Sequence, residues 1–178
     1  GDFPVPSLAV VHGAVAGAGL SLMLACDFVL AADNARFVYA YNGIGASPDG
    51  GLSSALVATI GLRRAMRFAF IDQRINADEA LALGLIDWTI AADALDSRAS
   101  DVARDLAALP AHAFLTTRKL FRDAATTLPS DMRERERAAF QTCTQTPDLQ
   151  EGVRAFFERR PALFGPQGEA REFSIDPL

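Results

Sequence analysis

The sequence predicts an α/β chain in which short strands and helices alternate through the front half and helices alone fill the back half. Three observations carry this prediction. The first is the stretch Val11 to Ala25, VHGAVAGAGLSLMLA. A short apolar run there meets Gly13, Gly17 and Gly19, and an apolar segment of two helical turns follows, the order of strand, Gly turn and buried helix. The second is the recurrence of short apolar runs bounded by turn residues as far as Ile90. The third is the helical spacing of apolar residues from Leu95 onward.

Taken in order, residues 7–11 read as a strand and 18–25 as a helix. Phe28-Val29-Leu30-Ala31 reads as a second strand and Phe37-Val38-Tyr39 as a third, with Asp33-Asn34 as the turn between them. Tyr41 to Gly51 is loop-like, rich in glycine and holding Pro48. Leu52 to Ile60 reads as helix, Gly61 interrupts it, and Arg63 to Ile71 continues. Asn76 and Glu79 have capping-box spacing, and Gly84 closes that helix. Ile86 to Ile90 is a compact strand. Leu95, Ala99, Val102, Leu106 and Leu109 then mark a helix stopped by Pro110. Ala111 to Ala125 forms another, and Ser130 is placed to cap a third running to Cys143, with Met132, Ala139, Phe140 and Cys143 on its apolar face. Thr146-Pro147 opens the last helix, with Leu149, Val153, Phe156 and Phe157 on one face. The tail from Pro161 is mixed and is expected to drape over a partner. The expected organisation is 1–91 as an α/β core and 92–178 as a helical region.

The bulk composition narrows the function. The chain has 178 residues, half of them hydrophobic, enough to bury a real core. Net charge is −5 with no basic tract, which argues against nucleic acid as the main partner. No apolar run reaches a membrane span, and GDFPVPS has no signal-peptide pattern, so the expected location is cytoplasmic. Cys26 and Cys143 sit far apart in apolar or helical contexts, which favours free thiols over a disulfide. The first residue is not Met and a strand follows almost at once, so further sequence is expected upstream.

The Gly turn is the strongest chemical signal. Backbone without Cβ turns sharply and admits a close ligand, and the first N–H groups of a helix lack internal partners. An oxygen developing negative charge is stabilised there. A dinucleotide fingerprint is disfavoured, because Leu22 stands where its third glycine belongs and no acidic residue ends a clear second parallel strand at the usual distance. A P-loop fails because no Gly-Lys-Ser/Thr follows.

Larger blocks are more specific. HGAVAGAGLSLMLACDFVLAADNARF, then IGASPDGG, then RRAMRFAFIDQRINADEALALGLIDWTI, then EGVRAFFERRPALF resemble the enoyl-CoA hydratase/isomerase (crotonase) superfamily in order and spacing, over about residues 4–165. That resemblance implies the crotonase β–β–α spiral (the ClpP/crotonase fold) with a helical C-terminal region, the N-terminal part of the fold lying outside this sequence. It implies an acyl-CoA thioester as ligand, an enolate held by two backbone N–H groups, and no cofactor beyond the coenzyme A of the substrate. It also implies a homo-oligomer, a trimer or dimer of trimers, with the 148–158 helix suited to burial in it. On the family's spacing one oxyanion donor is the N–H of Ala18, with Gly17 and Gly19 shaping the turn. The other belongs to an earlier segment.

Typical hydratases carry two glutamates where this chain has Ser21 and Tyr41. Neither side chain can serve as a carboxylate acid or base, so the resemblance points away from two-glutamate hydration. The acid in the right region is Asp49 of the PDGG loop, a position where ring-epoxide acyl-CoA isomerases carry Asp and 4-chlorobenzoyl-CoA dehalogenases carry a nucleophilic Asp. The favoured reading is double-bond or ring isomerisation with Asp49 as acid/base, its carboxylate expected among apolar acyl-chain walls. The alternatives are a hydratase proper, a hydrolase or dehalogenase with Asp49 as nucleophile, and a non-catalytic acyl-CoA binder. Read without the family, Asp49 is a Pro-Asp-Gly turn residue.

Other residues fall into place around this. Tyr39 and Tyr41 either line the acyl pocket or belong to ordinary core or rim. Phe140 and Arg159 stand where the family uses its C-terminal helices to meet CoA, Phe140 against the adenine and Arg159 at a phosphate. Core packing and surface charge are their ordinary alternatives. His12 and Asp27 suit structural hydrogen bonds, His112 a surface or cap position, and Ser21 small-residue packing. The run from Arg133 to Arg137 is an alternating, solvated helix face.

Overall fold

The computed structural model describes residues 3–164. Contacts divide the described residues into two units, one of residues 7–100 and one formed by residues 3–6 with 101–164. The division falls inside a helix, after Ser100, while the sequence reading changes region at 91–92.

The first unit repeats a strand–turn–strand pattern. β1 (Leu8–Val11) and β2 (Ala14–Ala16) are followed by helix α1 (Ala18–Leu24). β3 (Phe28–Ala32) and β4 (Arg36–Val38) come next and lie parallel to the first two, with Leu8 opposite Phe28 and Ala14 opposite Arg36. A 3₁₀ turn (Tyr41–Ile44) and the PDGG loop lead to α2 (Leu52–Arg67). Gly61, with φ 78 and ψ 155, kinks α2 where the sequence places an interruption. A π turn (Phe68–Asp72), β5 (Arg74–Asn76), α3 (Ala77–Leu83) and β6 (Trp88–Ile90) follow. β6 joins β3 in parallel, and β5 joins β4 in antiparallel, so two three-stranded sheets run in the orders β1-β3-β6 and β2-β4-β5.

Two strands differ from the sequence expectation. β2 lies inside the stretch read as a turn, because Gly13 turns the chain and Ala14–Ala16 then pair with β4 before Gly17 turns it again. β5 is three residues of mixed polarity and carries no period of its own; its pairing with β4 creates it. The capping box is present: the Asn76 side chain accepts from the Glu79 N–H at 2.9 Å, and the Glu79 carboxylate accepts from the Asn76 N–H at 2.8 Å. Such a cap contributes about 1 kcal/mol.

The core of this unit gathers the inward faces of its helices and both sheets. Leu20 and Met23 of α1, Phe37 of β4, Leu52, Leu56 and Ile60 of α2, Phe68, Ile75 and Leu85 are all buried in one cluster. Leu30, Ala32 and Leu95 form a second, with Leu8, Trp88 and Ile90 against it. Side chains pin the strands: Asp27 accepts from the Ser7 N–H and hydroxyl at 3.0 and 2.8 Å, and Asp87 accepts from the Val29 N–H at 2.7 Å. Burial pushes the Asp87 carboxyl up, and that N–H opposes the shift.

The helical back half comprises α4 (Leu95–Ala107), α5 (Ala111–Ala124), α6 (Pro129–Cys143) and α7 (Pro147–Glu158). In the second unit α5 packs on α6, and Asp123 of α5 ties them by accepting from Arg135 of α6 at 2.9 Å, while also accepting from Lys119 of its own helix. The cap of α6 is Leu128 with Pro129 in the first turn, not Ser130 as the sequence suggests. Proline's fixed φ starts the helix two residues earlier, and the Ser130 hydroxyl turns to the Asp131 carboxylate at 3.0 Å. Met132 is buried on α6, but Phe140, assigned to the same apolar face, is exposed. The tail beyond Phe164 lies outside the described residues.

Thr146 caps α7 as expected, accepting from the Leu149 N–H at 3.4 Å. The buried polar residue of this helix is Glu151. It accepts from Arg154, from Arg160 at 2.6 Å and from the Leu163 N–H at 3.1 Å. These donors, Arg160 foremost and Arg154 next, hold its carboxyl well below the usual carboxylate range. A carboxylate depressed in the folded state contributes stability above its unfolded pKa of about 4.3, and that contribution is lost as pH falls below it. The thermal midpoint of the protein is therefore expected to fall on titration from about pH 6 to about pH 3, and Glu151→Gln to flatten that curve. Melting followed by circular dichroism checks this, and parallel curves for the two proteins would refute it.

Candidate functional site

The site is built on the turn from β2 into α1. Gly17 holds φ 53 and ψ −120, a combination open to a residue without Cβ. Its N–H donates to the Val38 carbonyl at 3.3 Å, which ties the turn to β4, and its carbonyl accepts from Leu20 at 3.0 Å. α1 then starts at Ala18 with no side-chain cap. Ala18 is exposed, and among the described residues no acceptor takes its N–H. Leu20, Ser21 and Met23 face inward, so the helix is fixed by its buried side while its first turn stays open.

The PDGG loop is tethered to the same helix. Ser21 is buried, and its hydroxyl donates to the Asp49 carbonyl at 3.1 Å, an acceptor shared with the Leu52 N–H at 3.1 Å. The fit is tight. Gly50 has φ 58, and a Cβ there would stand 3.1 Å from the Ser21 Cβ. The constraint falls on position 50, where the absence of a Cβ lets the loop lie against the Ser21 side chain. The Asp49 carboxylate is turned back onto its own segment, where Oδ1 accepts from the Tyr41 hydroxyl at 2.6 Å. The Tyr41 ring is buried with Tyr39, ring centres 5.5 Å apart, and Tyr39 meets Phe68 edge-on at 6.2 Å. Burial, then the neighbouring Tyr41, pushes the Tyr39 phenol up.

Asp49, Tyr41, Ser21 and the Gly17–Ala18 turn, four features read separately from the sequence, thus form one group on the first unit. Asp49 itself is exposed. The apolar surroundings expected for its carboxylate are not supplied by the described residues, because the loop rides on the outside of its unit. A concavity of about 400 Å³ opens beside the turn, lined by Val11, His12, Val15, Gly19, Leu22 and Met23 among others; Asp49 is not part of its wall. His12 is exposed, and its ring makes no hydrogen bond among the described residues. His112 is an exposed residue near the start of α5, its Nε2 3.0 Å from the Thr142 hydroxyl. Phe140 and Arg159 belong to the second unit, Phe140 on α6 and Arg159 in the left-handed cap of α7 at φ 54. The Tyr41–Asp49 bond has no sequence signal, since a separation of eight residues across glycines matches no helix or strand period.

The family description Enoyl-CoA hydratase/isomerase matches residues 1–167. The chain belongs to the enoyl-CoA hydratase/isomerase family. Among the family's curated members it is similar to "Probable enoyl-CoA hydratase" of Rhodobacter capsulatus, 39% identical over 90% of this chain and 63% of that protein. It is also similar to 1,2-epoxyphenylacetyl-CoA isomerase of Escherichia coli, 32% identical over 90% of this chain and 62% of that protein. Among solved structures it superposes on an enoyl-CoA hydratase from a Polaromonas species with a TM-score of 0.86 and 35% identity, covering 92% of this chain and 64% of that one. The two sheets and the helices around them are thus the crotonase fold. The chain spans a little under two thirds of the length of the family members it matches. No helix among the described residues is long and apolar enough to cross a membrane.

Proposed function

We propose that this protein is an acyl-CoA isomerase acting through a thioester enolate, with Asp49 as its acid/base and the Ala18 N–H as one donor to the enolate oxygen. The observation that carries the reading is the tether from Ser21 to the PDGG loop, which places the Asp49 backbone against α1 one turn beyond the open N–H of Ala18. In the proposed reaction Asp49 breaks the C–H bond α to the thioester. The electron pair moves into the carbonyl, whose oxygen becomes anionic, and the carboxyl returns the proton at another carbon of the acyl group. Net redox change is zero and nothing is consumed, so the substrate's coenzyme A is the only cofactor chemistry required. Gly17 shapes the turn for the ligand; Gly19, expected to share that role, lies inside α1 with an ordinary φ and lines the concavity beside the turn. Phe140 and Arg159 are assigned to the adenine and a phosphate of CoA, and the exposure of Phe140 leaves it free to stack. Ser21 and Tyr41 supply no second carboxylate, which favours isomerisation over hydration.

The apolar face of α7 supports a homo-oligomer, a trimer or dimer of trimers. Val153, Phe156 and Phe157 are 49%, 78% and 78% exposed, a cost that burial against a neighbouring copy would remove. The free thiols of Cys26 and Cys143 fit a reducing, cytoplasmic setting. The test is exchange of the substrate's α-proton in deuterated water, with the full-length protein and 3-enoyl-CoA thioesters, whose α-carbon carries the acidic protons. Exchange is expected; binding of the thioester without exchange would make the protein a binder and overturn the reading.

A further inference from the structure

Tyr41, read from the sequence as either acyl-pocket wall or ordinary core, has its ring 8% exposed and packed in the core, while its hydroxyl meets a carboxylate. We propose that Tyr41 is the positioning residue of the site: it occupies Oδ1 of Asp49 and leaves Oδ2 as the oxygen that moves the proton. This rests on the reading of Asp49 as acid/base.

Three constraints converge on the aspartate. Its backbone is held because its carbonyl accepts from both Ser21 and Leu52, so the loop cannot carry the carboxylate away. What remains free is the side-chain torsion, and an exposed aspartate samples several rotamers. The Tyr41 hydroxyl at 2.6 Å selects one of them through a charge-assisted hydrogen bond. The selecting group is itself rigid, since the Tyr41 ring packs on Tyr39, which packs on the buried Phe68. A chain of aromatic contacts from the core thus fixes the orientation of a carboxylate at the surface. A wall residue would need its ring turned toward open space. The Tyr41 ring is turned inward, and only the hydroxyl reaches the reacting group.

The test is Tyr41→Phe in the full-length protein, which keeps the ring and removes the hydroxyl. The rate kcat for α-proton exchange is expected to fall about 10- to 100-fold with KM changed by less than about twofold, the signature of lost positioning. Adding Tyr41→Phe to Asp49→Asn is expected to cause no further loss, because the hydroxyl acts through the carboxylate. The side-chain carboxyl ¹³C resonance of Asp49 supplies a reading independent of turnover and is expected to move in Tyr41→Phe. An unmoved resonance, an unchanged kcat, or a raised KM at unchanged kcat would overturn the proposal. The two readings fail separately. If Asp49→Asn keeps full exchange, the acid/base reading is wrong; if Asp49→Asn is inactive while Tyr41→Phe matches the parent, only the positioning role is wrong.

Discussion

Replacing Asp49 with Asn is expected to slow α-proton exchange by about 10²- to 10⁴-fold, the usual contribution of a positioned general acid/base, while leaving thioester binding within a few-fold. The substitution is nearly isosteric and spares the scaffold. The loop is held through the Asp49 carbonyl, which accepts from Ser21 and Leu52, and both bonds are to backbone. The new amide oxygen can still accept from Tyr41. What disappears is the ability to take and return a proton. Exchange followed by NMR in deuterated water, with binding followed by calorimetry, separates the two effects. A variant that exchanges at the parent rate would remove Asp49 from the chemistry and return it to a turn role.

Gly17→Ala is expected to have the second-largest effect, on stability and exchange together. Space is not the obstacle. A Cβ at position 17 would meet only the Ala40 Cβ, at 4.0 Å, an ordinary contact. The obstacle is backbone: φ 53 with ψ −120 is strained for a residue with a Cβ. Holding alanine there costs about 1–3 kcal/mol, or roughly 2–12 °C in thermal midpoint. Relaxing that strain turns the peptide between Gly17 and Ala18 and misdirects the Ala18 N–H, and losing one oxyanion donor costs about 10²- to 10³-fold in kcat. Gly19→Ala is the informative control for stability. Gly19 has an ordinary φ, its added Cβ would stand 3.9 Å from Val15, and alanine favours a helix over glycine by about 1 kcal/mol. Equal destabilisation by both substitutions would show that dihedral strain is not the cause.

How legible these features were in the sequence follows from the range of the forces behind them. Elements with local causes could be read directly. The capping box at Asn76 and Glu79, the Gly61 break and the Thr146-Pro147 start each depend on residues within one turn, and each is present. β2 and β5 could not be read, because three-residue strands exist through their partner β4 and leave no period of their own. At the site, the Gly turn and the PDGG loop were visible as motifs. Their union was not, since it depends on the Ser21 hydroxyl reaching a carbonyl 28 residues away. Phe156 and Phe157 show a further limit. Helical spacing marks a face as apolar, but the covering surface must come from elsewhere, and here both rings are exposed. Glu151 carries no sequence signal, because two of the three donors around it, Arg160 and the Leu163 N–H, come from beyond its helix.

The parallel pairing of β1 with β3 and of β3 with β6 has a consequence for how the sheet assembles. Both partners of β3 must be brought to it by closing a loop, and the loops differ in length. The bond between Ser7 and Asp27 at the β1 side spans 20 residues, while that between Val29 and Asp87 at the β6 side spans 58. Closure entropy grows with the logarithm of that separation, so recruiting β6 costs about 1 kcal/mol more than recruiting β1. The order of recruitment is thereby biased. The β1–β3 pair, whose connecting segment carries the turn at Gly17, closes the shorter loop and can form while β6 is still unpaired.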